Sequence, residues 1–304
     1  MPNKEVLIAK ERKALMDLMD GPSKVSNRKV DENIVIATWN IQQFGEKKED
    51  RALQYIADIC ERFDVVALQE VKTDLTGLSR LQHLLPGNYK ILVTDPTGNN
   101  ERMAFLYDKR TVIPTGLICE IGFPVPASTH EGYQLHRMPY CVSFRAGRFD
   151  FILVNVHIFY GEREQAKYRK EEIEKLADYV QKTSKAAVAK AFDRDIIVMG
   201  DFNIEKAGDD FFKGLADSGF VMPPKMDQLK TNVQQTRTFD KIAWVKRKSF
   251  SFSDCNVIPF NQVLYQDASP KGGKKQISDH LPLWAEFSVK ELTQELDQII
   301  NTRG

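Results

Sequence analysis

"DIIVMGDFNIE", residues 195–205, is the stretch on which the reading of this chain turns. After Asp195, the short apolar run from Ile196 to Met199 is rich in β-branched residues, the pattern of a buried strand. That strand exits on Asp201 and Asn203, which stand two apart and therefore share a face. Asp and Asn are common where strands turn. A pair of oxygen donors at a strand exit also suits a hard cation such as Mg²⁺. From this stretch alone both readings are open.

Working outward, the pattern recurs. "IVIATWN" (34–40) is followed by a polar loop, the helical "RALQYIADICERF" (51–63) and the strand "DVVALQE" (64–70). "FILVNVH" (151–157) is followed by a polar loop, the helical "AKYRKEEIEKLADYVQKT" (166–183) and the opening stretch. Each strand ends on a polar group: Asn40, Glu70, His157, then Asp201 with Asn203. In open α/β sheets ligands sit outside the carboxyl ends of the strands, and four such ends are more than turn chemistry requires.

Further ionisable residues stand at strand boundaries. "ISDHLPLWAEF" (277–287) sets Asp279 and His280 before an apolar strand. "TFDKIAWV" (238–245) buries Asp240 within one, where an unpaired carboxylate costs several kcal/mol. Asp240 therefore needs a partner, and His280 is the candidate. "ERMAFLY" (101–107) begins with Glu101 and Arg102, and "HRMPYCVSF" (136–144) carries Arg137. Strands dominate from about 89 to 157, and "PPKMDQLKTNVQQTRT" (223–238) reads as mostly loop.

Composition bounds the rest. At 304 residues the chain can form one large α/β domain or two small ones. Its net charge of +1 means that any polyanion must be met by a local basic patch. The opening "MPNKEVLIAKERKALMDLMD" is too interrupted by charge for a signal peptide or membrane span. Cys60, Cys119, Cys141 and Cys255 lack metal-type spacing; two disulfides are conceivable, and the favoured reading is free thiols of a cytoplasmic protein. The expected organisation is an N-terminal helix and linker outside the core (1–32), a catalytic domain (33–290), and a C-terminal helix (291–304).

The blocks "WNIQQFG", "VVALQEV", "VNVH", "GDFN", "TFDKI" and "SDHLP" resemble, in that order, the signatures of the endonuclease/exonuclease/phosphatase superfamily. The likeness is greatest to its deoxyribonuclease I-like members and covers about residues 33 to 290. It implies an α/β four-layer sandwich, two facing mixed β-sheets with helices on the outer faces and the site at one edge. It also implies that Glu70 binds Mg²⁺ (Mn²⁺ substituting), assisted by Asn40 and Asp279. Asp201 and Asn203 would hold the attacking water, the phosphate or a second cation. Asp240 would orient His280, Glu101 would orient His157, and Arg137 would meet a phosphate oxygen. Lys72 takes the place of a groove-facing arginine. Calcium and disulfides are expected to be dispensable.

The chemistry agrees with that assignment. Phosphodiester hydrolysis needs an activated water and charge stabilisation, which a divalent ion supplies, and proton transfer near pH 7, which a carboxylate-paired imidazole supplies. The expected activity is nicking of DNA with little sequence specificity and no membrane anchor. The basic runs "KGGKK" (271–275) and "VKRKS" (245–249) would contact phosphates without reading sequence. The alternatives are a phospholipid-headgroup hydrolase, sphingomyelinase-like or a phosphoinositide phosphatase, and a non-catalytic binding module. The binding module would lack a ligand position, and every position is filled.

Overall fold

Two strand–helix–strand units shape the molecule. In the computed structural model, which describes residues 4–123, 134–161, 166–185, 195–245, 251–267, 274–289 and 300–301, both units are present and each is parallel. The first is β1 (Asn33–Phe44), α2 (Asp50–Cys60) and β2 (Val65–Lys72), preceded by α1 (Lys4–Asp20). The second is β7 (Phe149–His157), α4 (Ala166–Lys185) and β8 (Ile196–Asp201). Around them lie α3 (Thr76–Leu84), β3 (Tyr89–Val93), β4 (Glu101–Asp108), β5 (Ile113–Glu120) and β6 (Tyr140–Ala146). The chain continues with α5 (Asp210–Asp217), β9 (Phe220–Val221), α6 (Pro224–Gln228), β10 (Asp240–Val245), β11 (Ser251–Val257), α7 (Lys274–Ile277) and β12 (Leu283–Ser288).

The strands form two six-stranded mixed sheets, ordered β11-β12-β1-β2-β4-β3 and β5-β6-β7-β8-β10-β9. The repeated unit takes the same place in both, so the strand ends carrying Asn40 and Glu70 meet those carrying His157 and Asp201. The sheets face each other across aromatic contacts such as Phe105 with Phe144 (ring centroids 5.7 Å apart) and Trp244 with Phe287 (4.9 Å). A buried polar bridge also joins them. Gln69 donates to Asn155 Oδ1 at 2.7 Å and to Thr38 Oγ1 at 3.0 Å, and Asn155 donates to the carbonyls of Leu68 and Ala104.

The helices cover the outer faces. On α2, Leu53, Ile56 and Cys60 recur at helical spacing and are fully buried. On α4, Ile173, Leu176, Ala177 and Val180 bury the corresponding stripe. The fold is thus the expected sandwich.

Helix α1 is bound more closely than its sequence suggests. Leu15 and Met19 belong to the larger hydrophobic cluster, and buried Glu11 accepts from Arg51 Nη2 at 2.5 Å, from the Tyr55 hydroxyl and from Tyr265 N–H. Charges crowd this amphipathic sequence because they meet partners on α2 and beyond, not only water. The expected C-terminal helix and the run 271–275 lie, apart from α7's backbone and residues 300–301, outside the described residues, as do 246–249 of the second basic run. Residues 223–238 are loop apart from α6, in keeping with their polar composition.

Candidate active site

The polar strand ends converge because their backbones bend there. β1 runs past Asn40 with a register shift, and Gln42 and Gln43 take left-handed conformations (φ 46° and 47°). Glu70 (φ 58°) sits at a second shift between β2 and β4, and Asn203 (φ 54°) follows β8. Such conformations cost about 1–3 kcal/mol each in non-glycine residues and cluster at functional sites. Here they turn backbone amides onto the side-chain oxygens of the site: Gln42 N–H donates to Asn40 Oδ1, and Gln43 N–H to Glu70 Oε2 at 3.0 Å. Gly200 (φ 149°) allows the close approach of β7 to β8, since a Cβ there would lie 2.0 Å from the Val156 oxygen.

Asn40 ties the two sheets together at the site. Its Nδ2 donates to Glu70 Oε1 at 2.9 Å and to Asp201 Oδ2 at 3.0 Å. Asp201 Oδ2 is also 3.6 Å from His157 Nε2 and 3.8 Å from His280 Nε2. One carboxylate oxygen therefore faces both imidazoles. Asp201 Oδ1 accepts the Asn203 N–H, and Asn203 Nδ2 donates to the Ile158 oxygen.

The expected Asp240–His280 pair is present: His280 Nδ1 lies 2.8 Å from Asp240 Oδ2, and Asp240 is wholly buried. The expected Glu101–His157 pair is not a hydrogen bond. Glu101 Oε2 stands 3.8 Å from His157 Nδ1, which has no hydrogen-bond partner among the described residues. Glu101 accepts instead from Arg137 Nε at 3.1 Å, with the Lys72 ammonium 3.6 Å from its other oxygen. The guanidinium offers a charge-assisted bond that a neutral imidazole cannot match. Arg137, itself buried, and Lys72 are thus held beside His157 by Glu101.

The two histidines are pushed in opposite directions. Burial drives the His157 pKa well below its ordinary value, and the neighbouring Arg137 cation adds to that effect. Burial opposes charge on His280 too, but Asp240 and Asp201 outweigh it and push the pKa up to about 10. His157 is therefore neutral and His280 cationic at neutral pH. Burial raises Asp201 against the pull of His280. Burial and the Glu70 charge raise Glu101.

Several residues of the site were not legible in the sequence. Ser278 Oγ donates to the Asn40 carbonyl at 2.6 Å and accepts the His280 N–H, anchoring the "SDH" turn to β1. Lys48, from the polar loop after β1, is buried, and its ammonium donates to the carbonyls of Gln42 and Ile277. Burial brings its pKa down to about 8, while the Asp279 and Glu70 charges pull it upward. The Phe239 ring stacks on His280 at 5.4 Å, and Tyr160 meets Phe239 edge-on. Lys48 looks like any surface lysine of a loop, and Ser278 like a turn serine.

Two groupings suit a cation. Asp201, Asp240 and His280 bring donor atoms within 4.8 Å of one another, and Asp240 Oδ1 is buried without a partner among the described residues. A cation in that cluster would have to displace the His280 proton that Asp240 and Asp201 favour. Glu70 and Asp279 offer carboxylate oxygens alone, the preference of a hard divalent ion. Beside them an open cleft of about 460 Å³ runs between Gln42, Gln43, Lys47, Lys48, Lys72 and Asp74.

Residues 37–280 match the family model described as "Endonuclease/Exonuclease/phosphatase family". The chain belongs to that family. Membership makes it a hydrolase acting on phosphoric ester bonds, in a family generally dependent on divalent metals. Solved structures of the same fold include an endonuclease/exonuclease/phosphatase family protein from Bacteroides thetaiotaomicron, 17% identical (86% of this chain, 96% of that one, TM-score 0.64). Others are truncated Caenorhabditis elegans TDP2, 18% identical (84% and 97%, TM-score 0.60), and the B. thetaiotaomicron mannosyl-6-phosphatase Bt3783, 17% identical (84% and 99%, TM-score 0.62). No curated protein matches this chain.

Proposed function

We propose that this family member is a Mg²⁺-dependent phosphodiesterase of the cytoplasm that nicks DNA with little sequence preference. The observation that carries the reading is the placement of His157 and His280 on one Asp201 oxygen, at 3.6 and 3.8 Å, with the imidazole pKa of one pushed down and of the other up. Titratable groups whose surroundings force their pKa values apart mark acid and base roles. His280, cationic and held by Asp240, donates to phosphate oxygen or to the leaving alkoxide. Neutral His157, kept uncharged by burial and Arg137, accepts hydrogen bonds. Asp201, supported by Asn203, orients the attacking water. Glu70 and Asp279, with Asn40 bracing Glu70, would hold the cation, which supplies a more acidic bound water and neutralises phosphate charge. Glu101 positions Arg137 and Lys72 for phosphate.

The cleft carries Lys47 and Lys72 on its walls, cations that suit the phosphates of a polyanion. A DNA product is bound by the similar D. rerio TDP2, 16% identical to this chain, which supports a nucleic acid here. A lipid substrate finds less support. Among the described residues the exposed large apolar side chains are scattered, and Tyr160 alone stands beside the site. The test is an assay with Mg²⁺ or Mn²⁺ and with chelator, in parallel on supercoiled plasmid, an abasic oligonucleotide, RNA, sphingomyelin, phosphoinositides and a sugar phosphate. Nicked plasmid is expected as the fastest metal-dependent product; faster release of phosphate from the sugar or lipid would overturn the DNA assignment.

A further inference from the structure

Of the four cysteines, Cys60 on α2 and Cys255 on β11, opposite Ala285, are completely buried, whereas Cys119 and Cys141 face each other. They are register partners on the antiparallel strands β5 and β6. The kind of pairing follows from the neighbours. The Ile121 N–H donates to the Pro139 carbonyl at 2.8 Å, so Ile121 and Pro139 occupy a hydrogen-bonded position of the ladder. Hydrogen-bonded pairs recur every second residue, which places Cys119 and Cys141 at another, with Cα atoms about 5.5 Å apart. Disulfides span Cα separations of about 4.4–6.8 Å. The bridge is therefore reachable without moving the strands apart. The β-carbons at such a position are farther apart than an unstrained disulfide prefers, which makes the bond easily reduced.

The two thiols are unequal. Cys119 is exposed on β5, the edge strand of its sheet, while Cys141 is buried one strand inward. The neighbouring Cys141 thiol brings the Cys119 thiol down to about 7, against the opposing effect of burial. An accessible thiolate with a shielded partner is the arrangement of an attacking and a resolving cysteine. A small apolar cavity of about 60 Å³, walled by Leu117, Ile121, Tyr179 and Val180 as well as the two cysteines, gives their sulfurs room to change rotamer.

We propose that Cys119 and Cys141 form a reversible disulfide by exchange with a low-molecular-weight disulfide of the glutathione type. The Cys119 thiolate attacks one sulfur of the oxidant, forming a mixed disulfide and releasing one thiolate. Cys141 then loses its proton and attacks the Cys119 sulfur, releasing the second. The protein loses two hydrogens as two protons and two electrons, and the oxidant becomes two thiols. Cys141 lies four residues after Arg137, so the cross-link forms on the segment that delivers Arg137 to Glu101.

The reduced full-length chain would be equilibrated in graded mixtures of reduced and oxidised glutathione, quenched by acid, alkylated in denaturant, and read by intact mass and peptide mapping, with circular dichroism to verify the fold. The expected result is joined Cys119 and Cys141 peptides two hydrogens lighter, restored by dithiothreitol, with Cys60 and Cys255 alkylated throughout. Cys141→Ser should stop at a glutathione adduct on Cys119, and Cys119→Ser should leave Cys141 a thiol. A wild-type chain that keeps the adduct on Cys119 beside a free Cys141, or in which neither thiol reacts in the most oxidising mixture, would overturn the proposal.

Discussion

Replacing Asp240 with Asn tests the opposed histidines directly. The substitution keeps shape and removes the charge that does most to hold the His280 proton. In the native site the His280 pKa rises from its ordinary 6.5 to about 10, a preference for the imidazolium of roughly 5 kcal/mol. Asp240 is the largest favourable contributor and Asp201 the next. Without Asp240, burial should win over Asp201 and bring His280 below neutrality, a fall of about three pH units or more at 1.36 kcal/mol each. The readout is the pH dependence of histidine ring resonances in metal-free protein, tractable because the chain has five histidines. At neutral pH the variant should also lose about 10²-fold or more in kcat, the usual worth of general acid–base help. A wild-type His280 that titrates near 6.5, or an Asp240→Asn protein whose His280 stays charged at pH 8, would refute the reasoning.

The remaining predictions are these. Glu70→Gln should abolish metal-dependent turnover with the melting curve nearly unchanged; near-native rates at saturating Mg²⁺ would remove Glu70 from the ligand set. His157→Ala and His280→Ala should each cost at least about 10²-fold in kcat, and the double variant should fall short of the product because both act on one group. The stabilising contribution of the raised His280 is full below pH 6.5 and is lost as pH rises through about 10. That of the lowered His157 is full above 6.5 and is lost as pH falls toward its folded value. Their sum should peak near pH 6.5 in urea melts of the metal-free protein, and each alanine variant should flatten its own side. Glu11→Ala leaves Arg51 and Tyr55 without their shared acceptor and should cost about 1–3 kcal/mol. Equilibrium unfolding measures that cost, and no change would mean that Glu11 does not help to dock α1.

Much of this architecture could be read from the chain because period and punctuation agree. The two strand–loop–helix–strand units carry continuous apolar strands and amphipathic helices, so pattern alone fixes both parallel pairs. The polar residues that end those strands stood out for the same reason. What escaped depends on where loops go. Glu101 pairs with Arg137 because the chain returns from β5 to β6 beside it, a matter of tertiary distance invisible to spacing. Lys48 and Ser278 are ordinary loop residues until the turn before His280 is laid against β1. The docking of α1 is likewise invisible to spacing, because Glu11 is buried among three donors that come from α2 and from Tyr265.

The amide bridge of Gln69 and Asn155 has a consequence for how the halves are aligned. Apolar faces attract without direction, so two greasy sheets could slide past each other by a pleat at little loss. Directional bonds from Gln69 to Thr38 and Asn155, and from Asn155 to Leu68 and Ala104, permit one setting. Asn155 lies two residues before His157, Thr38 two before Asn40, and Gln69 next to Glu70. The bridge therefore works as a keyway directly beneath the chemistry, indexing one sheet's acids against the other sheet's imidazole. Gln69→Leu could preserve the melting temperature and still blur that index, and the loss would appear as a slower, less metal-responsive enzyme inside an apparently intact fold.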